Sequence, residues 1–275
     1  MPSNIDLITH GSPCQDFSIA GLQAGGDKGA GTRSSLMWCT VDIVEKTRPK
    51  YVIWENVKNL LSSKHRHNFD NYLKVMESLG YSSYYKVLDA KDYGIPQHRE
   101  RVFTISIRND IDAGYKFPEP MELKLRLKDM LEDEVDERYY LDSERTEKLI
   151  NEFFSRAAED LRDSKCVRIG GIFDTEKSKH QAGSIYDKEG LCPTLDVAQG
   201  GWRQPSVIIK DRIRKLTPLE YWRLMGFGDK DFEKAKNVPM SNTQLYKQAG
   251  NSIVINILEK IFKNLFDKEK KSWYK

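Results

Sequence analysis

Short apolar runs alternate with amphipathic segments along the first 108 residues of the chain. Four runs rich in β-branched and aromatic residues predict strands, and two longer segments with helical spacing, at 35–45 and 69–79, predict helices between them. Strands that alternate with helices predict an α/β fold with a parallel-type sheet covered on both faces. The predicted strands are 5–8, 51–54, 84–88 and 102–107.

The pattern changes twice after this region. Residues 109–165 are charged and loop-like apart from a helical stretch at 143–161, and residues 166–210 combine short strand-like pieces with glycine-rich turns, which predicts a small, mostly β subdomain. Helical patterns then return, with capped starts predicted at Thr217 and Ser241 and a final helix after Ser252. We therefore expect three parts, 1–108, 109–211 and 212–275, with the final helix packing back on the first.

Composition excludes several classes of protein. The 275 residues are 39% hydrophobic and carry a net charge of +3, which excludes a disordered charged polymer and a basic field over the whole molecule. No apolar run approaches the roughly 20 residues of a membrane span, and no secretion signal begins the sequence, so we expect a cytoplasmic protein. Four cysteines without a Cys-x-x-Cys pair predict neither a disulfide scaffold nor a metal site.

A candidate nucleophile follows the first predicted strand. Cys14 lies in the loop Gly-Ser-Pro-Cys-Gln at 11–15, and open α/β sheets bind their ligands at the carboxyl ends of strands. An isolated cysteine is more often a small buried apolar residue than a catalyst, so both interpretations stay open. Cys39, within an apolar helical segment, is expected to be buried.

Charged residues follow at two further strand boundaries. Glu55 ends the second strand, where a partly buried carboxylate could act as an acid, although a helix cap or a surface acid explains it equally well. Arg99 and Arg101 alternate on the extended segment that leads into the fourth strand, so they could share an anionic or carbonyl-rich ligand. The alternative is a surface ion-pair ladder with Glu100.

Together these segments resemble the cytosine-C5 DNA methyltransferase family. Four blocks match its signatures in order along nearly the whole chain: Pro-Cys-Gln at 13–15, Glu-Asn-Val at 55–57, Gln-x-Arg-x-Arg at 97–101 and Gly-Asn-Ser at 250–252. Weaker matches lie between them, at 33–36, 193–201 and 214–227. The resemblance implies a Rossmann-like S-adenosylmethionine-dependent methyltransferase sheet with a smaller, mostly β target-recognition subdomain. The three parts then become a partial catalytic domain, a connecting and target-recognition region, and a C-terminal helical segment.

The resemblance also assigns chemistry to individual residues. It implies that the Cys14 thiolate adds to C6 of cytosine, so that C5 can attack the methyl group of S-adenosylmethionine. It implies that Glu55 is the acid at N3, and that Arg99 and Arg101 contact the pyrimidine carbonyl and hold Glu55. The cofactor rim, by match, consists of Pro13, Leu36, Asn251 and Ser252.

Attack from above the ring plane requires the cytosine to leave the stack of double-stranded DNA. The resemblance therefore implies a base-reading region within 109–210, and we expect its loop at 199–203 to enter a groove, with an ordinary hairpin turn as the alternative. The residues expected to contact DNA are Gln15, Ser18, Thr194, Leu195, Gln199 and Arg203.

The sequence departs from the family pattern at its N-terminus. The family begins with a strand, a glycine-rich turn and the acidic residues that hold the cofactor, whereas this sequence begins at the strand before the nucleophile loop. We therefore expect an N-terminally truncated sheet with an open edge. Either a complementing polypeptide carries the cofactor strands, or the reading frame is an internal start or a remnant of a longer gene. For the function, the alternatives to a DNA cytosine-C5 methyltransferase are a non-catalytic DNA-binding remnant of such an enzyme and a member of the family's RNA-modifying branch. A prokaryotic or phage restriction-modification context is expected.

Overall fold

The computed structural model describes residues 4–13, 16–18, 24–142, 146–147, 149–150, 165–175, 177–198 and 200–272. The chain forms two compact units. Unit 1 comprises Met1–Leu88, Glu100–Pro118 and Ile261–Lys275, and unit 2 comprises Asp89–Arg99 and Glu119–Lys260. No helix among the described residues is both long and apolar enough to cross a bilayer.

Unit 1 is built on a four-stranded sheet. Its elements are β1 (Leu7–His10), α1 (Met37–Thr47), β2 (Tyr51–Val57), α2 (Arg66–Ser78), β3 (Tyr81–Asp89) and β4 (Glu100–Arg108), with the strand order β1-β2-β4-β3. All four strands and both helices were predicted, with β1 starting two residues later than expected.

The sheet is mixed, so the expected parallel-type sheet is wrong in part. β1 pairs in parallel with β2, but β4 runs antiparallel to β2. The physical reason lies in the connections, because parallel neighbours need a crossover of a dozen or more residues. The segment between β3 and β4 is shorter and contains only a single 3₁₀ turn, Ala90–Tyr93.

Unit 2 contains a second four-stranded sheet followed by helices. Its strands β5 (Arg168–Gly171), β6 (Ser184–Tyr186), β7 (Ser206–Ile209) and β8 (Arg212–Lys215) lie in sequence order, as expected for a small β subdomain. Its helices are α3 (Pro218–Arg223), α4 (Asp229–Lys236) and α5 (Asn242–Asn251), and the last helix, α6 (Ile255–Ser272), begins in unit 2 and belongs to unit 1 from Ile261 onward. The helix predicted at 143–161 lies mostly outside the described residues.

The predicted helix caps are present in unit 2. Thr217 caps α3 through its hydroxyl, which accepts from the Glu220 amide, and the Glu220 carboxylate accepts from the Thr217 amide. At α5 the Ser241 hydroxyl accepts from the Gln244 amide. These bonds satisfy amides that the first turn of a helix leaves without partners.

Both faces of the unit 1 sheet are covered. On one face, Val52 and Trp54 of β2 pack with buried side chains of α1 and α2, among them Val41 and Phe69. On the other face, Tyr51 meets Phe266 of α6 edge to face, with ring centroids 5.3 Å apart. Alternate residues of β2 point to opposite faces, so its apolar side chains are covered on both sides. The polar residues of the strand, Glu55 and Asn56, lie at its carboxyl end.

Candidate active site

The site in unit 1 begins where β1 and β2 end side by side. The parallel register pairs His10 with Trp54, so the loop after β1 runs beside Glu55. A Cβ atom placed on Gly11 would lie 3.7 Å from Glu55 Oε2. The sheet thus brings the start of the predicted nucleophile loop next to the predicted acid, as the order of the motifs implied.

Two buried side chains of β2 fix this loop by binding Ser12. Trp54 Nε1 donates to Ser12 Oγ at 3.0 Å, and Asn56 Nδ2 donates to the same oxygen at 3.2 Å. Sequence reasoning missed Ser12, although a small polar residue between Gly11 and Pro13 is a signal for such a contact. The two donors hold the loop at a defined distance from the strand that carries Glu55.

A second anchor holds the loop from the 3₁₀ turn Ser34–Leu36, which directly precedes α1. Ser34 Oγ donates to the Pro13 carbonyl oxygen at 2.7 Å, and the Ser34 amide donates to Asp16 Oδ2 at 3.0 Å. Ser34 and Asp16 are both buried. Cys14 and Gln15 lie outside the described residues, but the positions on either side of them are held by one serine.

Glu55 and Arg101 form an ion pair at the carboxyl end of β2. Arg101 Nε lies 3.3 Å from Glu55 Oε1, and the two side chains are 16% and 13% exposed. Lys58 pairs instead with Glu100, on the more exposed side of the same segment. The contact between Glu55 and Arg101 agrees with the expected holding of the carboxylate, while its catalytic role stays a prediction.

Arg99 makes its hydrogen bonds within unit 2. Its guanidinium donates to the carbonyl oxygens of Leu195 at 2.9 Å, Gly250 at 3.0 Å and Ser252 at 3.1 Å. The side chain is only 3% exposed. Arg99 therefore joins two distant motif segments through their backbone, which a local sequence pattern gives no means of foreseeing.

Gln97 extends this backbone-directed network. Its Nε2 donates to the Leu224 carbonyl oxygen at 2.7 Å, and its Oε1 accepts from the Leu195 amide at 3.1 Å. Thr194 Oγ1 donates to the His98 carbonyl oxygen at 2.7 Å. Leu195 is buried and Thr194 is exposed, so of this expected DNA-contacting pair the structure presents only the threonine at the surface.

The four expected cofactor residues lie at the surface or close to it. Leu36 is 50% exposed, an unusual position for a large apolar side chain. Pro13 and Ser252 are half-buried, and Asn251 at the end of α5 is exposed. Leu36 and Pro13 belong to unit 1, whereas Asn251 and Ser252 belong to unit 2.

The loop before β7 has an unusual backbone. Ala198, Gly200, Gly201 and Trp202 all have positive φ values, and Gly200 and Gly201 face open space. The Lys215 ammonium lies 5.2 Å from the Trp202 ring centroid, while Arg203 is exposed. Gln199 lies outside the described residues and Ser18 is half-buried. Trp202 is half-buried and packs against the hydrophobic cluster that includes Ile185 and Ile213, so the loop presents Arg203 and its glycine backbone at the surface.

The other cysteines differ in exposure. Burial raises the pKa of the Cys166 thiol to about 11, and burial raises the pKa of Cys192 as well, so both favour the unreactive protonated form. Cys39 is exposed on α1, so the expectation that it is buried is wrong. α1 is amphipathic and places Cys39 on its exposed face. The apolar residues next to Cys39 in the sequence led to the wrong prediction.

His10, the last residue of β1, is neutral near physiological pH. Burial lowers its pKa to about 4. Its ring stacks on Trp54, with centroids 5.7 Å apart and planes 2° from parallel, and its two nitrogens are buried without a hydrogen-bond partner. An uncharged imidazole therefore lies directly before the loop of Gly11 to Pro13.

Comparison with known proteins supports this reading of the motifs. The family model of C-5 cytosine-specific DNA methylases matches residues 1–267. The type II methyltransferase M2.ScrFI of Lactococcus lactis subsp. cremoris is 38% identical over 265 residues, which cover 96% of this chain and 67% of that protein. The type II methyltransferase M.HhaI of Haemophilus parahaemolyticus is 35% identical over 263 residues, covering 94% and 75%.

Solved structures show the same fold. The Entamoeba histolytica methyltransferase EhMeth superimposes with a TM-score of 0.65 at 16% identity, covering 96% of this chain and 78% of that one. At this identity the likeness concerns the mixed α/β fold alone. With a family model that spans nearly all of its length and relatives of such identity, the chain belongs to the C-5 cytosine-specific DNA methylase family.

Proposed function

We propose that this chain transfers a methyl group from S-adenosylmethionine to C5 of a cytosine in a specific duplex DNA sequence. The observation that carries the proposal is the pairing of Glu55 with Arg101 beside the loop that bears Cys14, at the ends of two parallel strands. The relatives M2.ScrFI and M.HhaI are named type II methyltransferases, which supports a role in a restriction-modification system.

In the proposed reaction Cys14 supplies the nucleophile. C5 of cytosine is a poor nucleophile, so addition of the Cys14 thiolate to C6 raises electron density at C5. S-adenosylmethionine, when bound, supplies the electrophilic methyl group. Loss of the C5 proton to solvent and departure of the Cys14 thiolate from C6 restore the aromatic ring and regenerate the nucleophile.

Glu55 is proposed to stabilise the ring while Cys14 is attached. Addition at C6 pushes electron density towards N3, where a protonated Glu55 carboxyl can donate a hydrogen bond. Arg101 holds Glu55 Oε1 from one side, which leaves Oε2 on the side of Gly11. Orientation of this kind gives the acid a fixed direction before the substrate arrives.

The reaction needs a base outside the helix stack, because the thiol approaches from above the ring plane. We propose that the unit 2 sheet carries the contacts to duplex DNA, with the loop of Trp202 and Arg203 entering a groove. Its open backbone and its cationic neighbour Lys215 support this role. Gln15, Ser18, Thr194 and Gln199 are proposed to contribute further contacts.

Among the residues proposed to hold the cofactor, the exposed Leu36 suits the apolar part of S-adenosylmethionine. Leu36 exposes half of its side chain, and Ser34, two residues earlier, binds the Pro13 carbonyl oxygen. An apolar side chain beside a loop at the end of a strand suits the hydrophobic part of S-adenosylmethionine. The exposed amide of Asn251, with Ser252, is proposed to supply polar contacts.

We further propose that a further polypeptide segment pairs with the edge strand β1. β1 is an edge strand of the described sheet, and its apolar residues Leu7 and Ile8 are only half-buried. An edge strand of this kind offers unpaired backbone groups to a further strand. The glycine-rich cofactor strands of the family, in the same chain or a separate one, are the proposed occupant.

The experiment that tests the nucleophile is covalent trapping on DNA that contains 5-fluorocytosine, with S-adenosylmethionine present. The wild-type protein is expected to form an adduct and Cys14→Ser is expected to form none, while Cys39→Ser, which removes an exposed thiol, serves as the matched control. An adduct in Cys14→Ser would exclude Cys14 as the nucleophile. DNA binding without any adduct in the wild type would favour a non-catalytic DNA-binding protein.

Glu55→Gln tests the acid. Turnover is expected to fall by about 10²–10⁴-fold while DNA affinity changes little, because the hydrogen bond to N3 strengthens in the transition state. Single-turnover methyl transfer and a DNA binding titration separate the two quantities. A loss confined to affinity would contradict the assigned role.

A further inference from the structure

At Gly26 close packing, and not the backbone conformation, requires glycine. Its φ angle lies outside the left-handed region, so the backbone conformation does not require glycine there. A Cβ atom at this position would overlap Phe17 Cζ, and would lie 3.1 Å from Phe17 Cε1 and 3.2 Å from the Ser34 carbonyl oxygen. The Phe17 ring therefore rests directly on the Gly26 backbone.

Phe17 is held from its other sides as well. Its side chain is fully buried, and its ring meets His65 edge to face with centroids 5.4 Å apart. Asn59 Nδ2 donates to the Phe17 carbonyl oxygen at 2.6 Å. The ring cannot retreat from Gly26 without disturbing a close-packed core.

The Gly26 backbone is fixed in turn by the helices of unit 1. Trp38 Nε1, from α1, donates to the Gly26 carbonyl oxygen at 2.8 Å. The Gly26 amide donates to Oδ1 of the buried Asn68, from α2, at 3.4 Å. Gly26 thus forms a rigid seat for the Phe17 ring.

This seat is connected to both sides of the nucleophile position. The Gly25 amide donates to the Asp16 carbonyl oxygen at 3.1 Å, and Asp16 is bound to Ser34, which also holds Pro13. Any shift of Phe17 therefore acts on Asp16, two residues after Cys14 in the sequence. Displacements of about 1 Å at a reacting group can cost on the order of 10²-fold in rate.

We propose that Phe17 and Gly26 form a packing lock that positions Cys14 for attack on cytosine. The inference rests on the proposed function, because it assigns the lock to the nucleophile of that reaction. Phe17 and Gly26 are positioning residues, since they act through the backbone of the loop and not on the substrate. The lock differs from a general stabilising contact in that its loss should change the reactivity of one thiol.

The first test is Gly26→Ala in the full chain. Mass spectrometry follows the iodoacetamide alkylation rate of Cys14 between pH 7 and 9, with the exposed Cys39 as the internal reference. The Cys14 rate and its pH profile are expected to change by at least about threefold, with no change at Cys39, because the loop backbone shifts. This readout needs neither cofactor nor DNA.

The second measurement is single-turnover methyl transfer to duplex DNA. Gly26→Ala is expected to lower the methyl-transfer rate by at least about tenfold with DNA affinity within about twofold. Gly228→Ala is the matched control, since Gly228 also has an ordinary φ and its nearest atom would lie 3.7 Å from a new Cβ. The double variant Gly26→Ala with Phe17→Leu should recover part of the rate, because the smaller side chain makes room.

The proposal would be overturned if Gly26→Ala had the Cys14 alkylation rate and the methyl-transfer rate of the wild type. It would also be overturned if the double variant transferred methyl groups no faster than Gly26→Ala. If Gly26→Ala does not fold, Phe17→Leu alone carries the test, since it loosens the contact without overlap and should alter Cys14 alkylation in the same assay. If the wild type forms no DNA adduct while Gly26→Ala still alters Cys14 reactivity, the proposed function fails and the lock stands.

Discussion

Unit 1 and unit 2 use buried charge in opposite ways. At the end of β2 in unit 1, Arg101 and Glu55 face each other and keep part of their surfaces in solvent. In unit 2, Arg99 is nearly fully buried and binds three backbone carbonyl oxygens. The two arginines stand two positions apart in one motif, yet one pairs with a carboxylate and the other holds backbone segments together.

The contrast shows that neighbouring residues of one sequence motif can have different roles, one in stability and one in a candidate site. A charge that binds the protein's own carbonyl groups contributes to stability and is not free for a substrate. A charge that pairs with a carboxylate at a strand end and keeps part of its surface in solvent stays within reach of a ligand, so it is a candidate for function. Variants in the two units should therefore separate loss of folding from loss of turnover.

The largest effect on stability is expected at the buried ion pair of unit 2. Arg214 binds Glu220 through two hydrogen bonds of 2.9 and 2.6 Å, and the side chains are 1% and 0% exposed. Glu220→Gln would leave the Arg214 guanidinium buried without its counter-charge. We expect the free energy of unfolding to fall by about 3–5 kcal/mol in urea denaturation.

The chain offers a control with the same geometry at the surface. Arg212 binds Glu137 through hydrogen bonds of 2.9 and 2.6 Å, but both side chains are exposed. Glu137→Gln should leave the urea midpoint close to the wild-type value, because solvent screens the pair. Equal losses in the two variants would show that burial does not set the cost.

The next effect separates the two arginines of the motif. Arg99→Met leaves the carbonyl oxygens of Leu195, Gly250 and Ser252 without their donor, so we expect about 2–3 kcal/mol of destabilisation. Arg101→Met should destabilise the chain less than Arg99→Met, because the pair of Arg101 and Glu55 keeps some contact with solvent, while methyl transfer falls by at least about tenfold. Urea denaturation and single-turnover assays of both variants give the comparison.

A reversed result, with Arg101→Met unfolding and Arg99→Met stable but inactive, would assign the roles the other way. If both variants lose activity in proportion to stability, the distinction between the two arginines disappears. Hydrogen exchange of the amides near Gly250 provides the local readout, since Arg99 binds that segment directly.

The sequence predicted the elements of unit 1 better than their arrangement. All four strands were found because apolar runs with turn signals at their ends have a local cause. The direction of β4 was missed, since it depends on the short connection from Asp89 to Glu100, which contains no helix. The same limit applies to registry between strands, which the pattern of β2 alone cannot supply.

The candidate site shows the same division. Glu55 and Arg101 were each singled out at a strand boundary, and the family resemblance implied that they interact; the structure brings them into contact. The ties from Arg99 to Gly250 and from Gln97 to Leu224 join residues more than a hundred positions apart. Such contacts leave no periodic signal, so only a three-dimensional fold reveals them.

The smallest expected effect concerns His10, at the strand end in unit 1. Burial lowers its pKa to about 4 in the folded chain, against about 6.5 in the unfolded chain. Below pH 6.5 the unfolded state therefore binds more protons, so this contribution to stability is present above that pH and is lost as the pH falls towards 4.

Between pH 7 and 5.5 the loss from this one group should be about 1 kcal/mol. His10→Phe keeps an aromatic ring against Trp54 and removes the titration, so its stability should change less over the same interval. The measurement is the difference between wild-type and variant urea midpoints at the two pH values, which cancels groups common to both. If the two proteins lose stability in parallel, His10 is not held neutral by burial, and the strand end is more open to water than its stacked ring on Trp54 implies.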